Sequence, residues 1–327
     1  MSLYDVTGIG NAIVDVLCPC TDQFLIDYGI EKGSMTLIDE ARAKELYAAM
    51  DGRATEKSGG SAANTMAGIA SFGGKGAYIG LVANDALGHI FTNDIADIGV
   101  KFETAPYIKG LETARSFIFI TPDGERSMNT FLGACTELSV EHVNSFMIGN
   151  SDITIMEGYL FDKAPAKEAY FMASKIAHEN NKKVALTLSD SFCVNRHKDD
   201  FKKLVSGNID IVFGNQKELC ALYDTDDIDN ATTQAAQTCD IVVSTRGAEG
   251  VFVVQGDNQV RIPTQKIDNV VDLTGAGDQL AAGFLYGLTH DLGLETSGQL
   301  GVMAAAEVIQ HVGPRPQMDY KDFLSDV

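Results

Sequence analysis

The sequence predicts an α/β fold in which a mostly parallel central sheet is covered by helices on both faces and carries a small β-sheet lid. Short apolar runs alternate with helical patterns along the chain, and this alternation is typical of a parallel sheet that is buried on both faces. The strand-like runs are residues 6–9, 77–82, 153–156, 184–188, 209–213, 241–245 and 250–254, and the helical patterns are residues 40–50, 62–71, 167–179, 216–222 and 231–237.

Two stretches interrupt this alternation, residues 13–38 and residues 101–132. Within the second, two apolar runs flank Asp123-Gly124, which is a strong signal for the turn of a β-hairpin. We therefore expect residues 1–12, 39–100 and 133–327 to form the α/β core, and residues 13–38 and 101–132 to form the small β lid.

The composition excludes several classes of partner. The 327 residues are 45% hydrophobic and carry a formal net charge of −20, whereas binding to DNA or RNA requires Lys and Arg to neutralise phosphates. The first residues have no basic and apolar signal segment, and no apolar run reaches the length of a membrane span. The six cysteines lack metal-ligand spacing. We expect a cytoplasmic protein without nucleic-acid or membrane partners.

The strongest motif is Thr274-Gly275-Ala276-Gly277-Asp278, which leads directly into an alanine-rich apolar helix. The first N–H groups of a helix are unpaired and carry the positive end of its dipole, so small residues here let an anion such as phosphate approach. A carboxylate beside a phosphate site can remove the proton from a hydroxyl that attacks a phosphoryl group. The alternative is an ordinary helix start that contains an acid.

Two glycine-containing segments earlier in the chain offer groups that suit a sugar hydroxyl. Gly59-Gly60 precedes the helix that contains Asn64, whose amide can both donate and accept. Asn11 and Asp15 follow the first strand, where a carboxylate could hold two hydroxyls. The alternatives are a capped helix start for the first segment and a charged loop for the second.

Two further segments follow strands in the second half of the chain. Asn215 and Glu218 have the spacing of a helix capping box, and the same oxygens suit Mg²⁺, which keeps several of its waters. The run 245–250, with Thr245, Gly247 and Gly250, fits either a loop near a nucleotide or a simple hairpin turn. No Walker A motif is present, so a P-loop kinase is excluded.

Arg126 lies in the predicted hairpin just after its turn. A guanidinium on a closing lid could neutralise charge on a phosphoryl group in transfer, although a solvated hairpin charge is the alternative. Residues 311–316 contain Gly313 and two prolines, and they predict the end of a helix.

These motifs together resemble the PfkB (ribokinase-like) family of sugar and nucleoside kinases, over nearly the whole chain. The resemblance implies a three-layer α/β/α sandwich with a small β-sheet lid. It also implies roles for the residues of each motif. The anion hole would consist of Gly275, Ala276 and Gly277, the catalytic base would be Asp278, and the lid arginine would be Arg126. The acceptor would be contacted by Asn11, Ile13, Asp15, Gly59, Gly60 and Asn64. Magnesium and the nucleotide would be contacted by Asn215, Glu218, Thr245, Gly247 and Gly250, and a monovalent cation such as K⁺ would bind at Asp272.

Within the family, the sequence most resembles members that act on a nucleoside. We therefore expect ATP-dependent phosphorylation of a nucleoside 5′-hydroxyl, with adenosine favoured, Mg²⁺ as cofactor, and a monomer or homodimer. A sugar kinase of the ribokinase or fructokinase type is the first alternative. A non-catalytic nucleoside or sugar sensor with the same fold is the second.

Overall fold

A computed structural model describes residues 2–327, and it contains two β-sheets. The larger sheet has nine strands, of which seven adjacent strands run parallel and two more extend one edge through antiparallel pairs. In spatial order from β6 to β14, they are β6 (Lys101–Phe102), β5 (Gly76–Ile79), β1 (Tyr4–Ile9), β9 (Ser151–Glu157), β10 (Lys183–Thr187), β11 (Ile211–Asn215), β12 (Ile241–Thr245), β13 (Val251–Gln255) and β14 (Asn258–Ile262).

The second, smaller sheet has five strands and mixes parallel with antiparallel pairs. Its order is β3 (Met35–Leu37), β8 (Arg126–Phe131), β7 (Ala114–Ile120), β2 (Ile13–Pro19) and β4 (Thr55–Gly59). The strands β7 and β8 form the hairpin that the sequence predicts around Asp123-Gly124.

Twelve α-helices cover the sheets within residues 2–327. They are α1 (Asp22–Asp27), α2 (Glu40–Ala49), α3 (Ser61–Ser71), α4 (Ala86–Asp97), α5 (Ser145–Gly149), α6 (Ala164–Glu179), α7 (Ser191–Arg196), α8 (Lys198–Asn208), α9 (Gln216–Tyr223), α10 (Ile228–Ala236), α11 (Ala276–Thr289) and α12 (Gly293–Val308). Short 3₁₀ helices span Gly133–Glu137, Val140–His142, Gly158–Asp162, Gly247–Glu249 and Tyr320–Ser325. None of the helices within residues 2–327 has both the length and the apolar character needed to cross a bilayer.

Alternation along the strands distributes the core over both faces of the large sheet. Ile211 and Phe213 of β11 pack with the layer that contains α3, α11 and α12, whereas Val212 packs with the layer of α6, α8 and α9. Successive side chains of a strand point to opposite faces, so a strand covered on both faces is apolar throughout. The predicted three-layer, ribokinase-like α/β/α architecture is therefore confirmed.

Three elements, α2, β4 and β6, pack with the sheet opposite to the one expected from the predicted division into core and lid. Strand β4 pairs with β2 in the small sheet and α2 packs on that sheet, although residues 39–100 are predicted as core. Strand β6 pairs with β5 in the large sheet, although residues 101–132 are predicted as lid. The sequence of β4 is polar, and β6 has two residues, so neither carries an apolar strand signal. The division into two domains stays a prediction.

Candidate active site

A cleft of about 420 Å³ lies at the carboxyl ends of the parallel strands, which is where open α/β sheets bind their ligands. It gathers side chains from both sheets and from the N-terminal ends of three helices. Of the predicted site residues, the lining contains Asp15, Gly60, Asn64, Asn215, Glu218, Thr245, Gly275, Gly277 and Asp278. Segments that are more than two hundred residues apart in sequence therefore meet at one cleft.

Asp278 lies in the first turn of α11 and faces this cleft. Its Oδ1 accepts a hydrogen bond from the Ser61 hydroxyl at 2.6 Å, and its Oδ2 accepts from Asn64 Nδ2 at 3.1 Å. Burial raises the pKa of Asp278, and the two donors lower it by a smaller amount. A carboxylate with a raised pKa is a stronger proton acceptor, which suits a general base that works near neutral pH.

The two glycines before Asp278 are required for different reasons. Gly275 has a φ of 85°, and a Cβ on it would lie 2.5 Å from Pro314 Cα, so the fold itself demands glycine. A Cβ on Gly277 would meet nothing within 4 Å. Gly277 also lines the cleft, so this unfilled space opens toward the cleft.

Ala276 is predicted to belong to the anion hole. Its N–H donates to Leu273 O at 3.3 Å, and the residue does not line the cleft. The open helix end is therefore formed around Gly275 and Gly277, together with Thr274, which also lines the cleft.

The predicted acceptor residues divide into cleft residues and supporting residues. Asp15 lines the cleft, and a Cβ on Gly59 would lie 2.5 Å from its Oδ2, so glycine lets the two strands approach. Gly60 has a φ of 92°, and a Cβ there would collide with Asn11 O. Asn11 does not reach the cleft, because it is buried and its Nδ2 donates to Glu157 Oε1 at 2.8 Å. Ile13 begins β2 and is also outside the lining.

Asp15 is held in an unusual electrostatic environment. Burial raises its pKa to about 7, while Arg315 and Arg126 lower it by smaller amounts. Asp15 also lines a second cavity of about 210 Å³, together with both of these arginines. A carboxylate that is poised between its two protonation states can accept hydrogen bonds from substrate hydroxyls once it is ionised.

Asn215 and Glu218 form the capping box that was one alternative for this pair, and both also line the cleft. The Glu218 oxygens accept from Asn215 N at 2.8 Å and from Asn215 Nδ2 at 2.6 Å. Burial raises the pKa of Glu218 to about 7. Within residues 2–327 no group of three His, Cys, Asp or Glu side chains could hold a metal. The amide and carboxylate oxygens of the pair at the cleft are of the kind that suits Mg²⁺, which keeps several of its waters.

The run 245–250 forms the turn of the β12–β13 hairpin, as its alternative interpretation states. Arg246 N–H donates to Gly250 O, and Gly250 N–H donates to Gly247 O. A Cβ on Gly250 would collide with Ile262 O, so this glycine serves the turn. Thr245 lines the cleft, whereas Gly247 and Gly250 do not.

Arg126 and Asp272 join the small sheet to the loop before α11. Arg126 Nη1 lies 2.6 Å from Asp272 Oδ2. Asp272 Oδ2 also accepts from Gly313 N at 2.9 Å, and its Oδ1 accepts from the Thr274 hydroxyl at 2.7 Å. Because a guanidinium already neutralises this carboxylate, Asp272 does not fit a site for K⁺.

Three residues of the site were not predicted from the sequence. Ser61 contacts Asp278, Glu157 holds Asn11, and Arg315 donates to Asn64 Oδ1 at 3.3 Å. Glu157 is the last residue of the buried strand β9, and an acid at the carboxyl end of such a strand is a usable signal. Arg315 lies in a segment whose sequence pattern indicates a helix stop, and the family resemblance places nucleotide and monovalent-cation contacts nearby without assigning any to Arg315.

The fold and this cleft place the chain in the class of enzymes that transfer a phosphoryl group to an alcohol. The model of the family described as pfkB family carbohydrate kinase matches residues 33–320. That match covers most of the chain, and the protein belongs to this family. The family predicted from the motifs and the predicted enzyme class are therefore confirmed, and the family implies the use of ATP.

Relatives and solved structures include kinases of nucleosides and of sugars. The adenosine kinase of Saccharomyces cerevisiae is 27% identical, over 94% of this chain and 95% of its own. The 5-dehydro-2-deoxygluconokinase of Lacticaseibacillus casei is 26% identical, over 82% of this chain and 85% of its own.

Two solved structures resemble the whole chain. The adenosine kinase from Sinorhizobium meliloti is 50% identical, covers 99% of both chains and has a TM-score of 0.90. A probable sugar kinase from Rhizobium etli CFN 42 is 48% identical, covers 100% of this chain and 99% of its own, and has a TM-score of 0.91. The similarity therefore does not decide between a nucleoside and a sugar as the acceptor.

Proposed function

We propose that this protein is a magnesium-dependent kinase that transfers the γ-phosphoryl group of ATP to the 5′-hydroxyl of a nucleoside, with adenosine as the favoured acceptor. The observation that carries the proposal is the position of Asp278 in the cleft, 2.6 Å from the Ser61 hydroxyl and beside the open N-terminal end of α11. Ser61 is itself an alcohol, so its contact displays the geometry in which an acceptor hydroxyl would donate to the carboxylate.

In the reaction, Asp15 and the amide of Asn64 hold the acceptor with its hydroxyl directed at the γ-phosphorus. The hydroxyl proton passes to the Asp278 carboxylate as the new O–P bond forms and the bond to the β-phosphate oxygen breaks, which releases ADP. The N–H groups at the start of α11 stabilise the charge on the phosphoryl oxygens, because they are fixed before the reaction and need no reorganisation.

Mg²⁺ would neutralise the phosphate charge while Asn215 and Glu218 orient its waters. Arg126 extends from β8 to the loop at Asp272, so closure of the small sheet over the cleft would exclude water that could otherwise hydrolyse ATP. Arg126 would therefore both help to close the cleft and supply positive charge.

A sugar kinase is the second candidate, and the probable sugar kinase that matches the whole chain at 48% identity supports it. Asp15 and Asn64 can hold vicinal hydroxyls of either acceptor, so the two candidates share one mechanism. A non-catalytic sensor is not favoured, because Asp278 keeps its place in the cleft.

The test is ADP release by the purified protein with ATP and Mg²⁺, across adenosine, other nucleosides, ribose and fructose. Adenosine should give the highest kcat/KM, and 5′-AMP should accumulate in step with ADP. A higher kcat/KM with a sugar than with any nucleoside would show that the acceptor is a sugar. ADP release that no acceptor stimulates would exclude both candidates. The expectation of a cytoplasmic monomer or homodimer stays a prediction, and light scattering would measure the oligomeric state.

A further inference from the structure

The segment 313–315, beyond α12, contacts three parts of the site in consecutive residues. Gly313 N–H donates to Asp272 Oδ2 at 2.9 Å, in the loop before α11. Pro314 O accepts from Gln279 Nε2 at 2.9 Å, next to Asp278 on α11. Arg315 Nε donates to Asn64 Oδ1 at 3.3 Å, on α3. This segment therefore lies against both helices that meet at Asp278.

The contact between Arg315 and Asn64 determines which way the Asn64 amide points. Its Oδ1 faces the Arg315 guanidinium, and its Nδ2 faces the Asp278 carboxylate at 3.1 Å. A guanidinium can only donate, and an ionised carboxylate can only accept. The reversed amide would place an oxygen against a carboxylate and an NH₂ against a cation, so both contacts would become repulsive.

Other contacts hold the Asn64 backbone in place without fixing its amide. Gln279 Nε2 donates to Asn64 O at 3.0 Å, in addition to its bond to Pro314 O. Asn64 as a whole residue is 5% exposed, so water cannot readily replace a missing partner. The orientation of the amide therefore depends on Arg315 on one side and Asp278 on the other.

The environment of Arg315 indicates that the guanidinium is not there for an ordinary surface ion pair. Its one hydrogen bond within residues 2–327 goes to Asn64, and its Nη2 atom is buried without a partner. Burial lowers its pKa, while the charges of Asp94 and Asp15 raise it by smaller amounts. Keeping a partly desolvated guanidinium is unfavourable for stability, which points to a task at the site.

We propose that Arg315 is a positioning residue that acts through Asn64. It holds the amide with its NH₂ toward Asp278, so that this NH₂ and the Ser61 hydroxyl together fix the carboxylate that receives the acceptor proton. The inference rests on the proposed function of Asp278, and it assigns a task to a residue outside the recognised motifs.

The test is a double-mutant cycle on kcat with Arg315→Met, Asn64→Ala and the variant that carries both. Arg315→Met should lower kcat by about 10- to 100-fold, since misplacing a reacting group has effects of that size. The KM for ATP should change little. In the Asn64→Ala background, Arg315→Met should change kcat by less than about twofold, because residues that act through one another are not additive. Independent, multiplying effects would overturn the proposal.

Two controls separate positioning from loss of structure. Arg261 is exposed on β14 and stacks on Phe252, so Arg261→Met makes the same chemical change away from the cleft and should leave kcat unchanged. Arg315→Lys keeps the charge and can still donate to Asn64, so it should recover part of the kcat lost in Arg315→Met. A lysine variant as slow as the methionine variant, at an equal melting temperature, would contradict the proposal.

A measurement without turnover keeps this inference separate from the proposed function. The ¹⁵N side-chain NH₂ resonance of Asn64, assigned by its disappearance in Asn64→Ala, should shift in Arg315→Met and stay in place in Arg261→Met. An unchanged resonance in Arg315→Met would overturn the positioning role even if the enzyme is active. Absence of turnover in the unmutated protein with every acceptor would instead refute the proposed function.

Discussion

Arg126 Nη1 and Asp272 Oδ2 lie 2.6 Å apart, although 146 positions separate the two residues in sequence (272 − 126 = 146). The pair joins the hairpin of the small sheet to the loop from which α11 begins. The Asp272 side chain is 5% exposed, and that of Arg126 is 17% exposed. The small sheet is therefore coupled electrostatically to the helix end where the phosphoryl group is expected.

Removing one member of this pair should destabilise the protein. Arg126→Met would leave Asp272 buried without its cation, which should lower the free energy of unfolding by about 2–3 kcal/mol. Adding Asp272→Asn should restore part of that loss. Lys175→Met, which breaks an exposed ion pair with Glu179, is the control and should change stability by less than about 1 kcal/mol. Urea denaturation measures all four proteins, and equal losses for Arg126→Met and Lys175→Met would contradict the coupling.

Asp278→Asn should remove most turnover and leave substrate binding largely intact. The amide cannot accept the hydroxyl proton, so kcat should fall by about 10²- to 10⁴-fold, the range of a general base. Asp291→Asn provides a matched control, because Asp291 is exposed just beyond the other end of α11 and its positive φ tolerates asparagine. Steady-state kinetics with calorimetric binding would check this, and a kcat near that of the unmutated protein would refute the assignment of the base.

Alanine substitutions at the two glycines of the helix start should have opposite consequences. Gly277→Ala meets no protein atom and removes a helical glycine, so stability should stay constant or rise by up to about 1 kcal/mol while turnover falls, because the methyl group projects into the cleft.

Gly275→Ala should instead lower stability, since its φ of 85° is strained for alanine and its Cβ would lie 2.5 Å from Pro314 Cα. Melting temperature and kcat measured on both variants would test the contrast. Full activity of Gly277→Ala would show that no phosphoryl group approaches this position.

The buried carboxyl of Glu157 should make stability depend on pH. Burial raises its pKa to about 7, from 4.5 for an ordinary glutamate. The folded chain therefore binds this proton more tightly than the unfolded chain. The resulting contribution to stability is complete below pH 4.5 and is lost as the pH rises through about 7.

Glu157→Gln removes that contribution from the pH profile, although it also weakens the contacts to Asn11 and to Ala62 N. The difference in unfolding free energy between the unmutated protein and Glu157→Gln should therefore be larger at pH 5 than at pH 8. Glu168→Gln, at an exposed position on α6, should show no such trend. A difference that does not change with pH would mean that Glu157 titrates as an ordinary glutamate.

The sequence is sufficient to predict the sheet, the hairpin and the motif at Asp278, because each depends on a local pattern of apolar residues or turn residues. Strand β4 was not predicted, because its five residues are mostly polar and its pairing with Ile13–Leu17 is decided by tertiary contact. The pair Asn215 and Glu218 shows a different limit of sequence-based prediction. The same spacing produces a helix capping box and places both side chains at the cleft, so the spacing cannot distinguish a structural role from a functional one.

The contacts around Asp278 could not be predicted in the same way. Ser61 and Arg315 reach the site from segments whose local patterns indicate only a helix start and a helix stop. Their contribution comes from the approach of α3, α11 and the segment 313–315, which no short window of sequence encodes. The role of Ala276 in the anion hole stays a prediction, and the sequence gives no sign that the Leu273 carbonyl accepts from its N–H.

The separation of Asn64 from Asp278 and Arg315, by 214 and 251 positions, has a consequence for biosynthesis. While the ribosome is still translating the middle of the gene, α3 has neither of the side chains that later fix its asparagine. The growing polypeptide can already pack α3 on β1 and β5, but it still lacks Asp278 and therefore the proposed catalytic base. Catalytic activity should therefore appear late and abruptly. It requires that the residues up to and beyond 315 have been translated and that this C-terminal segment has left the ribosomal exit tunnel.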